Sequence, residues 1–377
     1  MTTPHSPRRI PWNRVWPPAA LFALILTNTW SLSQTGPVGF VFGLGPAVVL
    51  GILTGGTFLW LDRWERERPP LLFSAFVWGA SFAGLGAIVL QATFENVATA
   101  LAGPAFQKWA SALIVTPITE EVLKGLFLIW LFRVHRHRIR GLLNGIVFGG
   151  LAGAGFAFSE NIYYFGEAFV KFMAAPTDPE VMINFIGTFA VRGFMAPFLH
   201  PFWVALFGLT LALATRRPPG VARVLVGSSG LVVALVLHGV YDWAAIVGST
   251  SDGFAVFKFF GVAILPLMIA MTVLAIVLRR REGRAIERRL PMLADEGRIA
   301  HEEVSSLDSL RRRRRWRADL RRSRGRAAAK LLGRYQAEVS ALALMQERND
   351  DPSDVESQRS ELEIVRQRML IAAERGV

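Results

Sequence analysis

Two adjacent glutamates and a lysine one helical turn further on, Glu120, Glu121 and Lys124, stand halfway along an otherwise apolar run from Ala110 to Phe132. A run of that length crosses a bilayer as a helix. Each ionised group near the helix centre costs roughly 2.5–3.5 kcal/mol, so three left unpaired would cost on the order of 10 kcal/mol. Lys124 lies at i+4 from Glu120 and i+3 from Glu121, where it neutralises one carboxylate. A buried structural ion pair is the plain reading of this stretch alone. The second carboxylate argues for more, because it needs a proton, a metal or further donors.

Four more polar residues interrupt apolar runs downstream: Glu160 in Phe156-Ala-Phe-Ser-Glu-Asn161, His200 in Phe198-Leu-His-Pro-Phe202, and both His238 and Asp242 in His238-Gly-Val-Tyr-Asp242. Taken singly, a membrane histidine is a hydrogen-bonded packing residue and an acid near a helix end meets water. Together they are harder to dismiss, because four consecutive apolar runs each contribute such a group. His238 and Asp242 are four apart and share a helix face, so the carboxylate can orient the imidazole and fix its tautomer. Carboxylates in a low dielectric serve as general bases near neutral pH, and the imidazoles or Asn161 suit an oxyanion. Equally, Glu120, Glu160, His200 and His238 suit a Zn2+ shell with one open position for water. The sequence leaves these two chemistries open. It contains no His-Glu-x-x-His, no Gly-x-Ser-x-Gly and no cysteine, which argues against a zincin and against a serine or thiol nucleophile.

The elements that must position these residues are apolar helices. The chain is 52% hydrophobic, and many of its charges cluster between long apolar runs. That pattern predicts an all-α polytopic membrane protein with about eight transmembrane helices and a helical cytoplasmic C-terminal tail. The expected spans are about 18–33, 38–61, 71–92, 110–132, 142–165, 194–214, 224–247 and 254–278, which makes residues 1–17 an N-terminal segment and 279–377 the tail. Arg8, Arg9 and Arg14, Arg63 to Arg68, Arg133 to Arg140, Arg216 to Arg223 and Arg279 to Arg281 all fall on one side of this arrangement. The positive-inside rule then puts both termini in the cytoplasm and the chain in the cell membrane. Alternate loops are poor in basic residues, with Lys171 and Arg192 read as charges of the longest outer loop, Gly166 to Gly193, which contains Pro176, Asp178 and Pro179 and has room for a short surface helix. The net charge of +13 follows from this orientation, so nucleic acid is not expected as a partner. In the tail, apolar spacing predicts helices over about 301–347 and 354–374, with Asp351 and Pro352 opening the last. Arg311 to Arg315 with Trp316 suit anionic lipid headgroups. Glycines beside the polar residues (Gly149, Gly150, Gly153, Gly155, Gly227, Gly230, Gly239) permit close helix contact.

Four motifs in order carry a resemblance. Glu-Glu-x-x-Lys at Glu120, Glu121 and Lys124, Phe-x-x-x-Glu-Asn at Phe156, Glu160 and Asn161, a lone His200, and His-x-x-x-Asp at His238 and Asp242 resemble the PrsW family of intramembrane proteases, related to the CAAX-processing endopeptidases. The resemblance covers about Ala110 to Val247. It implies a polytopic peptidase that cuts membrane-anchored proteins near the extracytoplasmic side, with single-span proteins such as anti-sigma factors as substrates. It also implies Glu120 as the water-activating base beside Glu160. His200, His238 and Asp242 then hold water, a metal or the oxyanion, and Glu121 and Lys124 form a supporting pair. Two other classes stand beside this reading: an ion- or proton-coupled transporter, and a non-catalytic membrane scaffold whose tail recruits partners.

Overall fold

The computed structural model describes residues 12–134, 141–250 and 254–375; Arg8, Arg9, Arg136, Arg138 and Arg140 and the side chain of Arg14, used above for orientation, lie outside them. The described chain is helical, and no strand occurs among its described residues. In order it comprises α1 (Trp12–Leu61), α2 (Pro69–Trp78), α3 (Gly84–Ala110), α4 (Thr116–Val134), α5 (Leu142–Ala174), α6 (Pro179–Thr188), α7 (Leu199–Thr215) and α8 (Val221–Thr250). Then follow α9 (Ala255–Phe259), α10 (Leu265–Asp295), α11 (His301–Leu307), α12 (Leu310–Arg348) and α13 (Pro352–Arg375). Short π-helical turns at Gly79–Ala83, Ser111–Val115, Phe189–Met195 and Phe260–Ile264 interrupt the longer rods.

Among the described residues, six helical runs are long and apolar enough to cross a membrane: Val15–Leu61, Pro69–Val134, Leu142–Ala174, Pro179–Thr215, Val221–Gly248 and Ala255–Asp295. Eight spans were expected. The first two runs each join a pair of expected spans across a Gly-Pro step, at Gly36-Pro37 and Gly103-Pro104. Gly36 has φ 65° and ψ 173°, and Gly103 φ 82° and ψ 170°, which only glycine adopts readily and which no helix continues through. The following proline cannot donate a hydrogen bond back across the step, so the rod breaks there without a loop.

Side-chain partition is inverted relative to a soluble domain. Large apolar groups face outward, Phe22 at 63%, Val41 at 69%, Ile52 at 70% and Val262 at 81% exposed, whereas Glu120, Glu121 and Lys124 are buried. Lipid tails welcome the first set, and the second must find its partners inside the bundle.

Packing divides the chain into two units: Met1–Phe58 with Pro70–Met268, and Leu59–Pro69 with Ile269–Val377. In the first, α5 is the central rod. Its glycines at every fourth position, Gly145, Gly149 and Gly153, lie against the backbone of α7 at Gly208, Val204 and His200 respectively. Such a small-residue ladder lets two backbones approach closely. Gly155 meets the backbone of Phe76 in the same way and Gly150 makes room for the Phe58 ring, so α5 is covered on several sides. A short helix, α6, is present within the expected 166–193 loop, with the Asp178 carboxylate accepting from the N–H groups of Glu180 and Val181.

The second unit is a helical domain that includes the short segment Leu59–Pro69 between the first two membrane runs. The composition changes at Arg279, yet α10 continues unbroken to Asp295. Its apolar core gathers Ile286, Leu290, Leu293, Leu332, Tyr335, Val339, Leu342 and Met369, with Trp64 packed against it. Asp351 caps α13 through Ser353 N–H at 2.9 Å. Arg348 grips both carboxylate oxygens of Glu65 at 3.1 Å. The run Arg311–Arg315 does not all face outward. Arg313 turns inward to the Leu307 carbonyl and the Ser340 hydroxyl, each at 2.6 Å, because position 313 lies on the core face of α12.

Candidate active site

The local path of each helix is set by its breakers. Pro117 has no N–H to return to Leu113, and the preceding turn Ser111–Val115 widens to a π-helix. The Leu113 carbonyl then faces α8 at Gly239, where an added Cβ would stand only 2.8 Å away. That close approach brings His238, the neighbour of Gly239, against α4. At the other end, residues 196–198 are non-helical, so α7 starts afresh at Leu199 and His200 sits in its first turn. Gly153 of α5 lies directly behind the His200 carbonyl.

All seven residues singled out in the sequence meet in one connected network. Lys124, wholly buried, donates to Glu121 Oε1 at 2.7 Å and Glu120 Oε2 at 3.2 Å, and its Nζ lies 3.0 Å from His200 Nδ1. Three ammonium protons thus meet three acceptors, and the Phe156 ring lies 4.1 Å from the nitrogen. His200 Nε2 donates to Glu160 Oε2 at 2.8 Å. These partners fix His200 as the Nε2–H tautomer. His238 Nδ1 lies 2.9 Å from Glu121 Oε1, and its Nε2 lies 3.5 Å from Asp242 Oδ2. The two imidazole centroids are 5.8 Å apart. Trp203 stacks on His238 with an interplanar angle of 14°.

The network is shared unequally. Two groups of donors each lie within 4.8 Å of one another: Glu120, Glu121 and His238; and Glu120, Glu160 and His200. Glu120 belongs to both. A cavity of about 280 Å³ opens beside the second, lined by Glu120, Glu160, Phe156, Gln91, Glu95, Tyr163 and Tyr164 from α3, α4 and α5, with Thr27, Trp30 and Ser31 from α1. Glu121, His238 and His200 do not line it, so Glu120 and Glu160 are the members of the network that do. The cavity therefore opens onto the Glu120–Glu160 edge, and the Glu121–His238 edge lies away from it.

Four further residues, Arg192, Gln91, Ser111 and Glu95, take part. Arg192 donates to Glu160 Oε2 at 2.9 Å and to Asn161 Oδ1 at 3.2 Å, with its guanidinium 3.4 Å from the Tyr164 ring centre. The sequence alone places it among loop charges, because its apolar run there starts at Phe194, whereas the helical run of the structure starts at Pro179. A single arginine inside the apolar stretch 181–215 was the available signal. Gln91 donates to Glu120 Oε1 at 3.2 Å, and Ser111 to Glu95 at 3.0 Å. Asn161, considered above as an oxyanion donor, instead turns its carbonyl oxygen to Arg192. The histidines likewise present no idle ring nitrogen: both nitrogens of each face a partner.

Charge bears on what the cluster holds. Four carboxylates (Glu120, Glu121, Glu160, Asp242) meet two fixed cations, Lys124 and Arg192, so protons or a divalent cation must supply the remaining positive charge. Two oxygen ligands and one imidazole, whose Nε2 would exchange the proton it shares with Glu160 for the metal, match the three protein ligands that Zn2+ takes beside a water in catalytic sites. The residues present therefore fit a metal.

Comparison with known proteins agrees with the geometry. No curated protein and no solved structure matches the chain. A family model described as PrsW family intramembrane metalloprotease matches residues 67–275, more than half of the chain and all seven site residues. With its apolar helices and buried acid–histidine cluster, this chain is a multi-pass membrane peptidase and belongs to the PrsW family.

Proposed function

We propose that the Glu120–Glu160–His200 edge hydrolyses a peptide bond in a single-span membrane protein near the extracytoplasmic face, anti-sigma factors being the substrate type. The observation that carries this reading is the cavity, which ends on the two carboxylates that the buried network holds in place. Glu120 is held by Lys124 on one oxygen and Gln91 on the other, which fixes its direction and leaves lone pairs for a water. It takes the water proton as the base and passes it to the leaving amide nitrogen. Glu160 receives both its hydrogen bonds on Oε2, so Oε1 remains to orient the same water or a ligand. Glu121 and Asp242 hold His238 from both ring nitrogens, and Glu121 with Lys124 keeps the shared wall rigid.

Alternatively, Glu120, Glu160 and His200 would hold Zn2+, with Glu120 then a ligand and not the base; when bound, the metal lowers the pKa of its water to about 7 and polarises the scissile carbonyl. The alternative set, Glu120, Glu121 and His238, is the weaker candidate because it has no share of the cavity beyond Glu120. The tail's exposed arginines, Arg311, Arg312, Arg314 and Arg315, suit anionic headgroups of the cytoplasmic leaflet, with both termini on that side. Metal analysis of the purified full-length protein tests the assignment. About one zinc per chain is expected, lost in Glu160→Gln and in His200→Ala and kept in Glu121→Gln. Zinc retained by the first two variants, or lost only from the third, contradicts it.

A further inference from the structure

We infer that Arg192 is a positioning residue of the peptidase site, acting through Glu160 to hold His200; this rests on the reading of the Glu120–Glu160–His200 edge given above. The guanidinium comes from outside the rod that carries Glu160. It rides on the π-helical turn Phe189–Met195, after an outer helix, α6, none of whose residues is buried. That helix is seated by rings: Phe185 stacks on Phe172, and Phe189 packs on Phe165 at 4.6 Å. No ion pair ties α6 to the bundle among the described residues, and Arg192 is the first charged side chain after it to reach the site.

What Arg192 touches decides its role. Glu160 Oε2 has two donors, Arg192 Nη1 at 2.9 Å and His200 Nε2 at 2.8 Å. His200 in turn presents Nδ1 to Lys124, which holds Glu120. The chain Arg192–Glu160–His200–Lys124–Glu120 is therefore continuous, and Arg192 is its outer end. Without Arg192, Glu160 keeps only His200 as a donor and its carboxylate can rotate, carrying the imidazole with it. Asn161 Oδ1 takes the other N–H of Nη1 at 3.2 Å, and the guanidinium carbon lies 3.4 Å from the centre of the Tyr164 ring. Both donations come from Nη1 while the guanidinium carbon sits over the Tyr164 ring, an extended geometry that arginine spans and the point charge of lysine does not. Hydrogen bonds from an outer residue to a functional carboxylate or imidazole are worth about 10- to 100-fold in activity or affinity.

The test uses the full-length protein in proteoliposomes and the doubly tagged single-span reporter that the parent cuts fastest. Arg192→Ala is expected to lower kcat by about 10- to 100-fold with KM within twofold. Added methylguanidinium is expected to restore at least several-fold of that loss, whereas methylammonium restores none, and Arg192→Lys stays low. A rise in KM with kcat intact would make Arg192 a substrate contact and overturn the proposal. So would a variant that cuts at the parent rate, or a loss that methylguanidinium does not repair. Arg192→Gln serves for the rescue where Arg192→Ala does not elute as the parent does, and failure of both to do so assigns Arg192 to folding, again overturning it. Glu120→Gln run alongside separates the two claims. If that variant is inactive and Arg192→Ala is normal, only the role of Arg192 falls; if it cleaves normally, the site itself has been misread.

Discussion

Gly153→Ala tests whether the position of His200 depends on how closely α5 and α7 approach. A Cβ at residue 153 would stand 2.6 Å from the Pro201 nitrogen and nearer still to the His200 carbonyl, whereas ordinary contact begins near 3.4 Å. These are backbone atoms and cannot swing aside, so the first turn of α7 must move by about 1 Å, a displacement that costs on the order of 100-fold in rate when it falls on a reacting group. Overpacking of a buried interface also costs about 1–3 kcal/mol of stability. Gly145→Ala is the control. It meets the Gly208 carbonyl in the same way, but about 12 Å further along the helix. Both variants are expected to melt lower than the parent by a similar amount, and reporter cleavage in proteoliposomes is expected to collapse for Gly153→Ala alone. Cleavage by folded Gly153→Ala within twofold of the parent, or an equal collapse for Gly145→Ala, would refute the reasoning.

Asp242→Asn removes the carboxylate facing His238 Nε2 and is expected to lower reporter kcat by about 10- to 100-fold, read from the initial rate of cleavage. In the tail unit, Arg348→Ala leaves Glu65 buried without its bidentate partner, which costs on the order of 3 kcal/mol. Thermal unfolding should show the drop, with part of it regained in the Arg348→Ala, Glu65→Gln double variant. Asp62 supplies a pH test. Its burial, with the Glu67 carboxylate adjacent, pushes its carboxyl well above the usual range. The unfolded chain ionises it near pH 4, so folding takes up a proton above that pH, and stability falls as pH rises toward the raised value. Asp62→Asn lacks this cost; it is expected to melt above the parent at pH 8, with the gap closing toward pH 4, and a gap that widens on acidification contradicts the sign.

Lipid is what made the site legible from the sequence. Glu120, Glu121, Lys124, Glu160, His200, His238 and Asp242 stood out because ionisable groups are costly in apolar runs, and the fold brings all seven into one network. The glycines beside them were informative for a related reason: Gly149, Gly153 and Gly239 sit where backbones meet. Arg192 escaped because it lies between a capped outer helix and a restarted one, where charge in the sequence looks like a loop. The run count differed because Gly36-Pro37 and Gly103-Pro104 break helices without spacing them apart. Arg313 was hidden within five consecutive arginines, whose helical phase alone decides which one turns to the core. The packing of the 59–69 segment with the tail joins residues nearly three hundred positions apart, such as Glu65 and Arg348, and no local pattern announces it.

The most direct test of the central claim is the rate at which purified Glu120→Gln cuts a single-span reporter in proteoliposomes. The network around Glu120 and the cavity that ends on it predict a fall of about 100- to 10,000-fold with the protein still folded. Cleavage at the parent's rate would contradict the assignment of peptide hydrolysis to this site.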